Sequence, residues 1–558
     1  TLYNKGKVQF QEAMPTRGYQ SSVSPVLHFG LGNHATIDSL KIVWLSGKSE
    51  ILKGIKANQM LTLSEKNAKS IPIKKETPKP LLQEVSPLSF IHVKDSVNDF
   101  KRQSLLTNPL SFAGPCMTKG DINGDGLEDI YVGGGTNQAG VIYLQSKGGS
   151  FTSKPQPTFE ADKLSYDTDA LFIDANADGF MDLYVCSGGF GNYQTDDPAL
   201  QDRLYLGDGK GNFTKTALPQ MLSSTSCVRA NDINGDGKID LFVGGRVNVG
   251  RYPETPQSYV LINNGKGQFA SQTPQPLKNI GMVTDAAWYD LNGDKKNELI
   301  IVGEWMPIMV FEVLNGEFKE STEKYFDKKW TGLWNKLLIE DFNGDGKGDL
   351  IVGNLGLNSQ LKASDYQLVE LFYKDFDKNG SVEPILCSYI QGKSYPYLTR
   401  DELLEQLPML RAKFTDYKSY ADATIKEVFT NGELDDAGHL EVNCLKTMYF
   451  ESTATGKFKE KPLPIQAQFA PIFTISAFDY DKDGKKDLVL AGNIHRARLK
   501  FGDYDANAGF VFRNDTKGNF GFAGQLGLKG DARSALLIND LIIFGINQGK
   551  VRGFRIQP

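Results

Sequence analysis

The pattern Asp-x-Asn-x-Asp-Gly-x-x-Asp packs hard oxygen donors into nine residues. Side chains at odd positions of a tight loop converge on one point, carboxylate and amide oxygens suit Ca²⁺ at about 2.3–2.6 Å, and Gly permits the sharp turn. The chain holds this pattern at Asp121, Asn123, Asp125 and Asp129, at Asp174, Asn176, Asp178 and Asp182, and at Asp232, Asn234, Asp236 and Asp240. It returns at Asp341, Asn343, Asp345 and Asp349 and at Asp479, Asp481, Asp483 and Asp487. Two copies are looser: Asp290, Asn292 and Asp294 precede Lys295 in the Gly position and end in Glu298, while Asp375, Asp377 and Asn379 end in Glu383. At position 7 a backbone carbonyl is expected to complete the shell, from Leu127, Phe180, Lys238, Lys347, Ser381 or Lys485. Such shells leave little room for substrate, so the reading is structural calcium, about five to seven ions, with Mg²⁺ disfavoured by the ligand number. The competing reading, plain Asp/Asn/Gly turns, weighs most on the loops at Asp290 and Asp375.

No catalytic signature accompanies the loops. There is no Gly-x-Ser-x-Gly elbow, no His-Glu-x-x-His and no phosphate-binding Gly-Lys-Ser/Thr loop. His28, His34, His92, His439 and His495 are mostly far apart in sequence. A pair of carboxylates for glycoside chemistry could hide among so many acids, but nothing in the pattern reveals one. Trp305, Trp330 and Trp334 fall near loops and could form an aromatic platform, against the commoner fate of burial. His495, Arg496 and Arg498, with Arg533, could receive an anionic ligand, against the commoner fate of a solvated or ion-paired cluster. Five scattered cysteines have no metal-ligand spacing and form no disulfide framework; Cys186 and Cys387 read as small buried hydrophobes on strands.

The elements that must hold these loops repeat with them. From Asp121 the first aspartates of successive loops lie 53, 58, 58 and 51 residues apart, then 34 and 104. Steps of that length fit a four-stranded blade, and Leu/Val/Tyr/Phe-rich runs follow most loops, so the expected fold is all-β, a seven-bladed propeller with calcium loops. Six blades carry a loop, and Ala535 to Ile556 supply a seventh without one. By position, Phe90–Val93 is expected to close the ring as its missing outer strand, and Asp375 to lie between the third and fourth strands of the blade begun at Asp341. Within the long step, Thr399 with Glu402 has the form of a capping box, Pro408 interrupts the helix, and Tyr420 to Phe429 reads as a second helical stretch. A helical insertion is therefore expected at about 396–430. Residues 1–66 lack the repeat and read as a small β domain; 67–84, rich in Pro and Lys, as a linker; and 85–558 as the propeller.

Composition narrows the partners. With 62 Lys+Arg against 67 Asp+Glu the 558-residue chain carries a formal charge of −5, which excludes a nucleic-acid protein held by bulk charge. The apolar runs at Leu536–Ile538 and Leu541–Phe544 fall far short of the roughly 20 residues of a membrane-spanning helix.

The loop with its trailing Leu-Phe-Val-Gly-Gly resembles the FG-GAP/VCBS repeat of integrin α-subunit propellers, from about 110 to 525. Arg17-Gly18-Tyr19-Gln20-Ser21, His28-Phe29-Gly30-Leu31-Gly32 and Val43-Trp44-Leu45-Ser46-Gly47 resemble the ASPIC/UnbV domain, found beside such repeats in the cartilage acidic protein family; Leu45 stands where that family usually has Pro. Thr1 falls inside the domain as the family has it, so a fragment is expected. With Asp99–Gln103 and Gly303–Pro307, the whole looks most like VCBS-repeat surface lipoproteins of Bacteroidota. That resemblance implies export to the cell surface or outer membrane, with an anchor outside this chain. It implies protein or glycan partners there, among them SusC/SusD-like proteins. The expectation is a non-catalytic binding or adhesion protein. The alternatives are a structural accessory subunit of an outer-membrane assembly and a polysaccharide-active enzyme.

Overall fold

Short runs of β-branched and aromatic residues bounded by Gly, Asn and Asp build strands throughout the chain. A computed structural model describes residues 1–70, 81–314, 316–515 and 517–556. It divides into two units, Thr1–Lys79 and Pro80–Pro558. Most of the linker expected over 67–84 coincides with 71–80, outside the described residues, while Leu82–Val85 is a strand of the larger unit. The smaller unit is one five-stranded antiparallel sheet centred on Thr36–Val43 and Lys48–Lys56, with Leu2 and Ile37 buried.

The larger unit is a propeller-like repeat of open antiparallel sheets. Seven of them begin with Met117–Gly120, Tyr166–Ile173, Ser224–Asn231, Met282–Tyr289, Lys336–Glu340, Ile472–Phe478 and Asp531–Ile538. Apolar clusters lie between consecutive sheets: Tyr184 and Leu204 pack with Val228 and Leu241, for example, and Ile351 and Tyr449 with Leu488 and Phe512. One further cluster joins Ile538 and Ile543 of the seventh sheet to Ile130 and Tyr143 of the first. All five cysteines are buried and unpaired, Cys186 and Cys387 on strands as expected.

Two topological expectations are corrected. The sheet begun by Lys336–Glu340 and Asp349–Gly353 takes Met448–Ser452 and Phe458–Lys461 as its third and fourth strands. The loop at Asp375 instead joins Val369–Lys374 to Glu383–Ile390 in a separate sheet with Lys393–Pro396 and Gly438–Val442. The second correction is the strand completing the last sheet, which is Leu82–Val85, paired with Arg552–Ile556 and anchored by Leu82 at 2% exposure. Ile91 makes only an isolated bridge to Lys550.

The insertion continues in short helices from Arg400–Gln406 to Asn431–Asp435. The Thr399 capping box is formed, and Pro408 opens a 3₁₀ turn. The second stretch is broken into Tyr417–Ala421 and Ile425–Val428, because the caps Asp416 and Thr424 each start a new turn. Leu403, Leu404, Leu407 and Leu410 pack inward on Ile385, Cys387 and Phe414, so this apolar stripe is consumed within the chain.

His92 illustrates how the ends of the larger unit are tied. Its backbone N–H donates to Gly549 O, its Nδ1 accepts from Gln548 N–H at 3.0 Å, and its buried Nε2 has no hydrogen-bond partner among the described residues. Burial, reinforced by Arg533, pushes its pKa from 6.5 down to about 4. The unfolded chain takes up this proton first, so the contribution of His92 is complete above pH 6.5 and is lost as pH falls towards 4. Between pH 7 and pH 5 that loss is about 2 kcal/mol. In His92→Gln, whose amide oxygen can still accept from Gln548, urea unfolding at these two pH values should show the drop smaller by that amount; an equal drop in both proteins would contradict the assignment.

Candidate metal centres in the acidic loops

Each acidic loop occupies the same place. In six of the seven sheets it joins the first strand to the second, and in the inserted sheet it joins Val369–Lys374 to Glu383–Ile390. The carboxylate at position 9 is always the first residue of the strand leaving the loop: Asp129, Asp182, Asp240, Glu298, Asp349, Glu383 and Asp487. The seventh sheet has only the turn at Asn539 and Asp540.

Within a loop the aspartate at position 1 gathers backbone donors. Asp121 Oδ1 accepts from Gly124 at 2.8 Å and its Oδ2 from Gly126 at 2.8 Å; Asp232 and Asp341 repeat both bonds. Asp174, Asp375 and Asp479 each accept from the position-6 Gly. Side-chain oxygens of Asn123, Asn176, Asn234, Asn292, Asn343 and Asp377 each accept the N–H at position 5. The position-7 residues Leu127, Phe180, Lys238, Lys347, Ser381 and Lys485 donate their N–H to the side chains of Asp125, Asp178, Asp236, Asp345, Asn379 and Asp483. Position 6 is left-handed throughout, from Gly237 at φ +80° to Gly380 at +92°, and Lys295 is held at +69° in the loop that lacks the Gly.

The position-9 acid also has a role inside the sheet that the loop pattern does not suggest. One oxygen accepts the N–H of loop position 2, as Asp182 does from Ala175 at 2.9 Å. The other accepts from the last residue of the third strand: Gln145 to Asp129, Gly207 to Asp182, Asn263 to Asp240, Ser452 to Asp349 and Asn514 to Asp487. Glu298 uses its extra methylene to reach Asn292 Nδ2 at 2.8 Å. Burial raises all seven carboxyls, partly offset by these hydrogen bonds and reinforced by neighbouring loop aspartates in six of them and by Glu451 at Asp349. Asp182, Asp349 and Asp487 are pushed up to about 6, Glu298 and Glu383 to about 7, and Asp129 and Asp240 upwards. Clustered acids with raised pKa values, all of them oxygen donors, fit a hard dication that would offset their repulsion.

Among the described residues, three groups of acidic or histidine side chains bring one donor atom each within 4.8 Å of one another and could chelate a divalent cation. Asp375, Asp377 and Glu383 form one, in the loop whose sequence is looser, and Asp479, Asp481 and Asp483 another. The third, Glu370, His439 and Glu441, was not legible in sequence; cross-strand pairing between Val369–Lys374 and Gly438–Val442 creates it, with Phe372 stacked on His439 at 4.2 Å. Some loop acids also have cationic partners: Lys238 pairs with Asp236, Lys485 with Asp483, and Arg513 with both Asp481 and Asp483.

The aromatic platform does not form. Trp334 and Trp305 are buried in two different apolar clusters and Trp330 is half-buried beneath Lys328. The basic cluster divides. His495, Arg496 and Arg533 line one cavity, whereas Arg498 is turned away to Glu402 at 2.9 Å.

Comparisons with known proteins agree with the repeat. The family described as FG-GAP-like repeat matches residues 121–185, 232–301 and 290–352, each match opening on the first aspartate of a loop, and the family described as ASPIC and UnbV matches residues 1–70. No curated protein matches the chain. Among solved structures, BBS1N in complex with ARL6DN shares 10% identity over 81% of this chain and 94% of that one, at TM-score 0.37. The biofilm matrix protein Bap1 of V. cholerae shares 12% over 86% and 91%, at 0.34, and Sqt1 of Saccharomyces cerevisiae 11% over 81% and 100%, at 0.39. FG-GAP and ASPIC/UnbV domains are non-catalytic structural and binding domains. The chain carries an ASPIC and UnbV domain at residues 1–70 and three FG-GAP-like repeats within 121–352, and in this it matches proteins of the FG-GAP/VCBS-repeat, ASPIC/UnbV type.

Proposed function

We propose that this is a non-catalytic binding or adhesion protein whose larger unit is a calcium-stabilised seven-bladed propeller, exported and displayed at the cell surface or outer membrane. The observation that carries the reading is the reiteration of one acidic loop at one place in successive sheets, each with a buried position-9 carboxylate. The apolar cluster joining the seventh sheet to the first supports ring closure. Among the described residues no helix is long and apolar enough to cross a membrane. A subunit role in a SusC/SusD-like assembly gains nothing from the helical insertion, because its leucine stripe is already buried in the chain. The partner surface is then drawn from loops, where binding residues are commonly carried.

Affinity recovery from native cell envelope, run in calcium and in chelator with protein and glycan both identified, tests this. A defined protein or glycan retained in calcium and lost in chelator is the expected result. Turnover of glycan by the purified protein would overturn it in favour of an enzyme.

A further inference from the structure

The first strands of the repeat share a second periodic feature. Their pairing slips by one residue at Thr168, Ser226, Thr284, Phe473 and Arg533. The first four lie six residues ahead of the first aspartate of their loops, as Asn335 does ahead of Asp341, and Arg533 lies six ahead of the turn residue Asn539. A bulge re-aims a side chain, and all six of these residues line a single cavity of about 390 Å³. That volume lies near the lower end of the roughly 300–1,000 Å³ of small-molecule sites.

The hydroxyls at the bulges are already committed. Thr168 donates to Thr225 O at 2.8 Å and Ser226 to Val283 O at 2.7 Å, each across to the next sheet, and Thr284 to Trp334 O at 2.9 Å, two residues ahead of the next sheet's first strand. Recognition therefore falls on the charged lining, where Arg246, Lys336, Arg496 and Arg533 face two acids, Asp169 and Asp531. Both acids are paired, Asp169 with Arg229 and Asp531 with His495 and Arg533. Arg533 lies over Phe473 at 4.2 Å and donates to Phe112 O and Asn493 O, a fixed wall. Lys336 shares Asp285 with Arg229, leaving donors spare. Arg246 pairs with Glu304 through Nη2 at 2.5 Å, while its Nη1 is buried and has no hydrogen-bond partner among the described residues. Arg496, over Phe112, has no carboxylate partner among the described residues.

We propose that this cavity binds a small organic monoanion through its carboxylate, received by the guanidinium of Arg246 and held by the positive field of Lys336 and Arg496. The planar guanidinium edge suits a carboxylate, and with the ion-pair partners included Arg229, Arg246, Lys336, Arg496 and Arg533 face Asp169, Asp285, Glu304 and Asp531, an excess of one cation that favours one negative charge. This goes beyond the calcium reading and does not depend on it: the cavity is built by the bulges and the loops lie elsewhere on the strands.

Isothermal titration calorimetry of the full chain in calcium, with glucuronate and benzoate as carboxylate probes, and glucose and inorganic phosphate as controls, tests it. At least one carboxylate should bind with millimolar affinity or better and glucose should not; glucuronate alone would mark a sugar-acid site, benzoate alone an aromatic-acid site. Arg246→Lys keeps the charge towards Glu304 but loses the planar edge, and Arg496→Ala removes an exposed side chain; each should weaken the carboxylate at least tenfold with an unchanged thermal midpoint. Should Arg246→Lys fail to fold, Arg496→Ala decides alone. Absence of carboxylate binding, binding of phosphate only, or carboxylate affinity unmoved in the folded variants would overturn the proposal.

Discussion

Moving the protein from calcium into excess chelator should lower its thermal midpoint by about 10 °C or more. A ligand at a hundred times its dissociation constant stabilises by about 2.7 kcal/mol per site, and several such sites together approach the roughly 5–15 kcal/mol that holds a typical domain. The loops give this a local cause. Each starts the second strand of its sheet on a buried acid, and in five sheets that acid also holds the end of the third strand. Without a cation, Asp182 and Asp487 stay buried beside other loop aspartates and Asp349 near Glu451, with pKa values driven by burial up to about 6. Differential scanning calorimetry in calcium, in chelator and in chelator followed by added calcium makes the comparison. An unchanged midpoint in chelator would show that the loops are hydrogen-bonded turns and no more.

The second large effect is expected from Arg229. Its guanidinium spans three sheets: Nη1 meets Asp169 at 2.6 Å, Nη2 meets Asp285, and Nε donates to Ala286 O at 2.7 Å. Asp285 is 1% exposed, and despite that burial Arg229 and Lys336 hold its carboxyl below the usual range. Arg229→Met leaves Asp169 without its cationic partner and Asp285 with Lys336 alone, and removal of one partner from a buried ion pair costs about 3–5 kcal/mol. Denaturant unfolding should show that loss, and adding Asp285→Asn to the same chain should recover part of it, because an uncompensated buried charge is then gone. A single variant within about 1 kcal/mol of the parent would mean that the bridge does not hold these sheets together.

The loops were legible because their constraint is local: donors at positions 1, 3, 5 and 9 and a left-handed residue at 6 lie within nine residues, and seven copies repeat it. The first three strands of most sheets came with them, since each spacing contained those strands. What failed was non-local. Leu350 pairs with Phe450 across the insertion, so the third strand of that sheet could not be read from the residues just beyond Asp349, and Val369–Lys374 was credited to the wrong sheet. Leu82–Val85 closes the last sheet from the opposite end of the chain, in a stretch whose prolines and lysines resemble a linker. Trp305 and Trp334 were ambiguous because burial of an aromatic beside a loop depends on which sheet packs over it. The bulge residues were visible in principle: the interval of six from Thr168 to Asp174 recurs down the chain, and only the register slip shows that it leads into a cavity.

The central claim is that the acidic loops are metal centres, and the most direct test is to count the ions. Native mass spectrometry of the full chain, exchanged into trace calcium without chelator and paired with elemental analysis, reads both identity and number. About five to seven calcium ions per chain, lost together on chelation, is the predicted result. A chain carrying no calcium, with its folded charge distribution intact, would contradict the account.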